Sequence, residues 1–335
     1  MKGIRIEAAR GLDGLDIVEL PDPGAPGPGE IRVRVQGSSL NFHDYAVCKF
    51  GIPKFDGRIP LADGAGVVEA VGEGVAGFAE GDLVVSTFFP TWLDGPPSVP
   101  DFSTTPGDGV DGYAREAVVR PATWFTHAPR GWSAVEAATL TTAGVTAWRA
   151  LVENGGLKAG DSVLVLGSGG VSVFALQIAK AMGAVVIATS SSDEKLERMR
   201  ALGADHGINY KTTPEWGEAV RAFTGGRGVD HVVEVGGPGT LAQSIAAVRL
   251  GGHIALIGVL TGRAGEVPTA FLMAKQARIE GLIVGSRRHQ SDMVRGMEAL
   301  RLKPVIDRTF PLSQLGDAFR YEESGAHLGK IGVAF

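Results

Sequence analysis

The chain has 335 residues, 32 lysines and arginines against 37 aspartates and glutamates, a net charge of −5 and a single cysteine. That length suits two domains of ordinary size, and the charge balance gives no reason to look for nucleic acid or an anionic membrane as partner. One cysteine excludes an intrachain disulfide and any cysteine-rich zinc site. With no secretory apolar region at the start and no apolar run approaching ~20 residues, the expectation is a soluble protein of a reducing compartment, the cytoplasm.

In chain order, the first ~120 residues read as all-β. EIRVRVQGSSL alternates, with Ile31, Val33 and Val35 on one face, and GAGVVEAVGEGV and DLVVSTFF are short β-branched runs set between glycines. PDPGAPGPGE at 21–30 is a turn-rich connector. Residues 94–111, DGPPSVPDFSTTPGDGVD, show no apolar period and predict a long surface loop. From 133 the pattern turns helical, with Ser133 as N-cap and Glu136 three residues on. Strand and helix patterns then alternate: DSVLVLG, a helix from Gly170 to Met182, AVVIATS, the helix DEKLERMRALGA, then GVDHVVEVGG, GGHIALIGV and ARIEGLIVGS. Strand–helix–strand in series predicts βαβ units and a parallel sheet. The chain closes on the strand-like KIGVAF.

The strand DSVLVLG runs into GSGGVS, residues 167–172, and then into a helix. Free N–H groups and the helix dipole face an anion there, and glycine lets the backbone approach a pyrophosphate, so Gly167, Ser168, Gly169, Gly170 and Val171 are candidate dinucleotide contacts. Ser172 stands where a third glycine would be. An NAD site carries an acidic residue about 20 residues further on. Here the next strand ends in Thr189, Ser190, Ser191 and Ser192, with Lys195 one turn into the following helix. Hydroxyls and a cation suit a 2′-phosphate that a carboxylate would repel, so NADPH is expected over NADH. Ser191 and Ser192 also read as helix-cap residues.

Beyond these local readings, the chain resembles the medium-chain dehydrogenase/reductase superfamily over nearly its whole length. The resemblance rests on GAGVVEAVGEGVAGFAEGDLVV, DGYAREAVV, EAATLTTAGVTAW, VLVLGSGGVSVFALQIAKAMGA, SSSDEKLERMRALGADHGINY and GGHIALIGV, and is strongest to the quinone oxidoreductase and zinc-free alcohol-dehydrogenase-like branches. It implies an α/β fold: a GroES-like β-rich catalytic domain from residues 1–125 and 291–335, and a Rossmann doubly wound domain over 126–290, with the active site in the cleft between them. It also implies a homodimer paired through the Rossmann sheet edge at ARIEGLIVGS. Family-like cofactor contacts fall on Ser190, Lys195 and Tyr210 at the 2′-phosphate, on Gly258, Val259 and Leu260 along the nicotinamide, on Val284, Gly285 and Ser286, and on Lys330.

Zinc-dependent members place a cysteine, a histidine beside an acid, and a second cysteine at the catalytic metal. Aligned by neighbouring residues, this chain has Asn41, then Ala62 before Asp63, then Thr142. No metal is expected, Thr142 is assigned to the cofactor, and Cys48 reads as a small packed residue.

Without a Lewis acid, ordinary carbonyl reduction lacks several kcal/mol of charge stabilisation. A quinone or α,β-unsaturated carbonyl needs less, because its reduced anion is delocalised and asks only for a hydrogen-bond donor and a proton. Asn41, His43 and Tyr45 can donate, and Asp44 is either a catalyst or a structural cap. If residues 41–45 are extended, Asn41, His43 and Tyr45 share a face; if they start a helix, Asn41 aligns with Asp44 or Tyr45. Phe88, Phe89 and Trp92 are candidates for an aromatic wall beside a flat substrate, or else cover the domain edge. The expectation is an NADPH-dependent, zinc-free reductase of quinones or α,β-unsaturated carbonyls. An alcohol dehydrogenase or aldehyde reductase with side-chain acid–base groups, and a non-catalytic NADPH-binding sensor or interaction protein, are the alternatives.

Overall fold

The alternating and β-branched runs of the first third form seven strands among the residues described, 1–50 and 52–335 of a computed structural model. They are β1 (Lys2–Ile4), β2 (Ile17–Glu19), β3 (Glu30–Ser39), β4 (Ala65–Val71), β5 (Leu83–Ser86), β6 (Ala117–Pro121) and β7 (Phe125–His127), with α1 (Phe42–Lys49) after β3 and α2 (Ala134–Ala138) after β7. A short α3 (Val145–Trp148) leads into β8 (Ser162–Leu166), α4 (Gly170–Ala181), β9 (Val185–Ser190), α5 (Asp193–Ala201), β10 (His206–Asn209), α6 (Trp216–Phe223), β11 (Val229–Glu234), α7 (Pro238–Ala247), β12 (Val248–Leu256), α8 (Thr269–Lys275) and β13 (Arg278–Gly281). The chain ends with α9 (Arg287–Ala299), β14 (Ile306–Pro311), α10 (Leu315–Glu323) and β15 (Lys330–Ala334). No helix of the described residues is long and apolar enough to cross a membrane.

Contacts divide the chain into two units, one of Met1–Val145 with Val284–Phe335 and one of Thr146–Ile283. The expected boundaries after residues 125 and 290 therefore both move inward on the second domain, to follow residues 145 and 283. For the first of them the reason is strand pairing and capping. β7 hydrogen-bonds to β5, and α2, started by the Ser133–Glu136 capping box, buries Ala134, Ala137 and Ala138 against Ala65 and Val85 of the same unit.

The first unit is built on a seven-stranded sheet ordered β14-β15-β3-β4-β5-β7, with β6 on β3. Ile31, Val33 and Val35, which alternate along β3, turn inward together onto Val68, Val84, Tyr113, Val118 and Phe125, as the period-two pattern requires. Segment 94–111 is only partly the surface loop its composition predicts. Residues 94–98 are exposed, but Thr105 is fully buried and Asp108 is 9 % exposed, because the backbone folds back on itself through Gly107 N to Val110 O and Val110 N to Thr105 O.

The second unit is a six-stranded, all-parallel sheet ordered β10-β9-β8-β11-β12-β13. Counted within the unit this is the 3-2-1-4-5-6 order of a doubly wound dinucleotide fold, whose order reverses beside the first strand. That strand is β8, fully buried along its length, and its carboxyl end carries the glycine turn.

Candidate active site and cofactor site

Gly167 adopts φ +72°, the left-handed region glycine favours. The turn it starts delivers the chain into α4, whose first residues present unpaired N–H groups at the carboxyl end of the sheet. A Cβ added at Gly169 would meet no atom within 4 Å, so the space above the turn is open to a ligand. Ser172, in place of the third glycine, donates to Leu166 O at 2.6 Å and is buried, which ties helix to strand. At the tip of β9, Ser190 Oγ accepts from Ser192 N at 3.3 Å and Ser192 Oγ accepts from Lys195 N at 3.3 Å, so Ser192 caps α5. Ser191 follows β9 directly, and Lys195 lies in the first turn of α5. Tyr210 donates its N–H to Ser190 O at 3.1 Å and is 42 % exposed. Gly258 follows β12 at a point where any Cβ would lie 1.9 Å from Val235 O, and Val259 and Leu260 beyond it are exposed. This backbone cradle, without an acid at the β9 tip, fits a nicotinamide dinucleotide.

Three residues expected at the cofactor belong to the first unit and have other partners. Ser286 is buried and forms a capping box on α9, accepting from His289 N at 3.2 Å while its own N–H donates to His289 Nδ1 at 3.1 Å. Val284 is buried, and Gly285 lies so near Val145 that a Cβ would come within 2.7 Å of its Cγ1.

Lys330 requires a larger correction. At 3 % exposure its ammonium donates to Leu40 O and, at 2.6 Å, to Asn41 Oδ1, and lies 3.7 Å from Asp63 Oδ2. Both hydrogen bonds and the ion pair go to residues of its own unit, so the ammonium is tied to Leu40, Asn41 and Asp63 rather than standing free for a cofactor. Asp63, fully buried, also accepts from Ser39 Oγ at 2.5 Å and from Thr142 Oγ1 at 2.6 Å. Thr142 reaches Asp63 from a π-helical turn, Leu140–Gly144.

The opening of α1 settles the geometry of residues 41–45. Phe42–Lys49 is helical, so the alternative that aligns Asn41 with Asp44 is the one observed: Asn41 Nδ2 donates to Asp44 Oδ2 at 3.0 Å. Asn41 sits at the N-cap position, yet its side chain caps no N–H; its two ends go to Lys330 and Asp44. Asp44 also accepts from Ala62 N at 2.8 Å, linking helix to loop. On a helix, residues 43 and 45 point about 200° apart. Tyr45 accordingly leaves the group: its hydroxyl donates to Glu323 Oε1 at 2.9 Å, beside Lys49. It joins neither the Asn41–Asp44–Lys330 group nor the rings around His43.

His43 lies between aromatic rings, 5.4 Å from Phe88 and 4.9 Å from Phe102 between centroids. Its Nε2 is 3.3 Å from Asp108 Oδ2, close enough for charge pairing though not aligned as a hydrogen bond. Phe89 and Trp92 continue this cluster and, like Phe88, are almost fully buried. Most of the expected wall is therefore internal packing.

Burial is the main force on the carboxyls. It lifts Asp44 to about 6, aided by the negative charge of Asp63 and opposed by His43 and the Ala62 N–H. It lifts Glu322 of α10 to about 7, opposed by Lys330 and aided by Asp44 and Asp63. The Glu322 residue is partly exposed, but its Oε2 is buried with no hydrogen-bond partner. Burial also pushes the Cys48 thiol well up, consistent with a packed residue. A carboxyl raised in the folded state contributes stability that is whole below its ordinary value near 4.5 and is lost as pH climbs through about 7. Glu322→Gln is therefore expected to flatten the decline in melting temperature between about pH 5 and pH 8 by ~2 °C or more. Thermal melts across that range check it; an unchanged slope would contradict this placement of the charge.

Zinc does not fit this donor set. The two register positions with polar side chains offer an amide oxygen already bonded to an ammonium and a hydroxyl bonded to Asp63, and the third is Ala62. Zinc sites are built from thiolate, imidazole and carboxylate. Among the described residues, no three such groups come together.

Comparison with known proteins agrees with the fold and bears on the chemistry. Residues 27–130 match the family model of the alcohol dehydrogenase GroES-like domain, and residues 170–300 that of the zinc-binding dehydrogenases. A zinc-type alcohol dehydrogenase-like protein of Schizosaccharomyces pombe is 44% identical over 332 residues, 96% of this chain and 95% of that protein. The crystal structure of a putative alcohol dehydrogenase from Sinorhizobium meliloti 1021 is 44% identical with a TM-score of 0.93, covering 100% of this chain and 98% of the other. A second solved structure, named an NAD-dependent alcohol dehydrogenase, is 36% identical with a TM-score of 0.89 and full coverage of both chains. The fold, the dinucleotide cradle and these relatives together make the chain a member of the medium-chain dehydrogenase/reductase superfamily, of the zinc-type alcohol-dehydrogenase-like group, and an oxidoreductase dependent on a nicotinamide cofactor.

Proposed function

We propose that this protein is an NADPH-dependent reductase of quinones or α,β-unsaturated carbonyls that works without a metal. The observation that carries the reading is the Lys330 ammonium bonded to Asn41 and paired with Asp63, where zinc-dependent relatives hold their metal ligands. An ammonium hydrogen-bonded to Leu40 and Asn41 and paired with Asp63 is not a Lewis acid, and an acceptor that itself delocalises the charge hydride brings needs none. When bound, the nicotinamide supplies that hydride. Asn41 orients through Asp44 and Lys330, and one N–H of its amide remains to meet an oxyanion. His43 offers an imidazole for proton transfer. The neutral tip of β9, at Ser190, supports the phosphorylated cofactor.

Absorbance at 340 nm tests the reading, with NADPH or NADH offered against quinones, enones, saturated ketones and aldehydes, and NADP+ against alcohols. Oxidation of NADPH by quinones or enones, with saturated carbonyls slower by about 100-fold or more, is expected. The relatives' names favour a second reading, alcohol oxidation, which the alcohol arm of the same assay would reveal by activity there alone. We also propose that two copies pair along β13, one of the two edges of the parallel sheet; light scattering that reads a monomer mass would contradict it.

A further inference from the structure

The segment 94–111 brings two residues to the opening of α1 that its composition did not single out. Phe102 packs on the His43 ring, and Asp108 places Oδ2 at 3.3 Å from His43 Nε2. Asp108 is 9 % exposed and His43 has 23 % of its side chain exposed, so the contact sits at the rim of a buried aromatic cluster rather than in open solvent. A carboxylate in that setting has few ways to remain charged without partners. It has two: His43, and Lys54 at 3.7 Å from the other oxygen, Oδ1. Thr105, fully buried, holds the loop in this fold by accepting at its backbone carbonyl from Asp108 N at 3.2 Å and Val110 N at 3.2 Å. The loop thus presents one carboxylate to Nε2 of the imidazole.

We propose that Asp108 is the positioning residue of a His43–Asp108 pair that delivers the proton in the reduction. This inference rests on the proposed reductase activity. Hydride forms a bond to the β carbon of an enone, or to a carbonyl oxygen or ring carbon of a quinone, and the electron pair of the acceptor's π bond moves to oxygen. Imidazolium then gives one N–H proton to that anion and returns to the neutral ring, which takes a proton back from solvent. The sum is acceptor plus hydride plus proton giving the saturated carbonyl or the hydroquinone. Asp108 fixes the ring through Nε2, which leaves Nδ1 as the nitrogen directed to the substrate, the division of labour a carboxylate imposes on a catalytic histidine. The misalignment at 3.3 Å fits a contact that tightens when an acceptor is in place.

The experiment compares the 335-residue protein with Asp108→Asn, Asp108→Glu and His43→Gln, each first shown by thermal melting to be folded. With an enone or quinone found active in the 340 nm assay, Asp108→Asn is expected to lower kcat about 100-fold, a typical loss for general acid catalysis, with the KM for NADPH unchanged. The effect of D2O on kcat should grow as proton transfer becomes slower, and Asp108→Glu should recover part of the rate. His43→Gln should lose as much as Asp108→Asn and regain rate when free imidazole is added. If Asp108→Asn does not fold, the His43→Gln variant with imidazole decides. A folded Asp108→Asn with wild-type kcat and an unchanged D2O effect would overturn the pairing, as would a His43→Gln variant that turns over normally. Wild-type protein inert toward every quinone and enone would instead overturn the reductase reading, and this role with it.

Discussion

Replacing Lys330 with methionine is expected to lower the melting temperature by about 10 °C, through loss of ~3–5 kcal/mol. Methionine matches the length of the lysine stem but removes the charge that faces Asp63. That carboxylate is fully buried and would keep only its hydrogen bonds from Ser39 and Thr142. Removing one partner of a buried pair leaves an unpaired charge, whereas replacing both is far less harmful. The double variant Lys330→Met with Asp63→Asn should therefore recover most of the loss. Thermal unfolding of the two variants checks this; a single variant as stable as wild type, or a double variant no better than the single, would show that the pair does not carry this part of the fold.

The second large effect is on cofactor choice. Ser190→Asp is expected to lower kcat/KM for NADPH about 100-fold, equivalent to ~2.7 kcal/mol, while leaving NADH within a few-fold. The new carboxylate at the tip of β9 would face a 2′-phosphate, two negative charges at short range and only partly screened, and would instead suit ribose hydroxyls. Initial rates with both cofactors decide it. Equal losses with both would mean that Ser190 supports the turn but does not read the phosphate.

What the sequence makes legible is local. Glycine, alternation and helical period are set by neighbours in the chain, so β8, the turn at Gly167, α4 and the Ser133 capping box can all be read from the order of residues alone. The alignment of Asn41 with Asp44 is one of two local geometries open to that stretch, and the helix selects it. Tyr45 goes astray for the same reason, since it shares a face with His43 only if the segment is extended. The partners that define the site come from far away. Lys330 meets Asn41 across 289 residues, so nothing in KIGVAF announces that its lysine is buried beside that amide. Asp108 lies in a segment rich in glycine, proline and aspartate whose composition reads as surface. Only the return of its backbone onto Thr105 turns one aspartate inward. One hint does exist for Lys330: it begins an apolar run that ends the chain, and a lysine at the head of a buried strand needs an anionic partner.

The central claim is that hydride transfer in this protein proceeds without zinc. The most direct measurement is the metal content of active protein, by elemental analysis, alongside its turnover before and after treatment with EDTA. The account predicts far less than one zinc per chain and NADPH-dependent reduction of a quinone or enone at the same rate after EDTA. One zinc per chain, with activity lost to EDTA and restored by added zinc, would contradict it and would mean that Asn41, Asp63 and Thr142 rearrange around a metal.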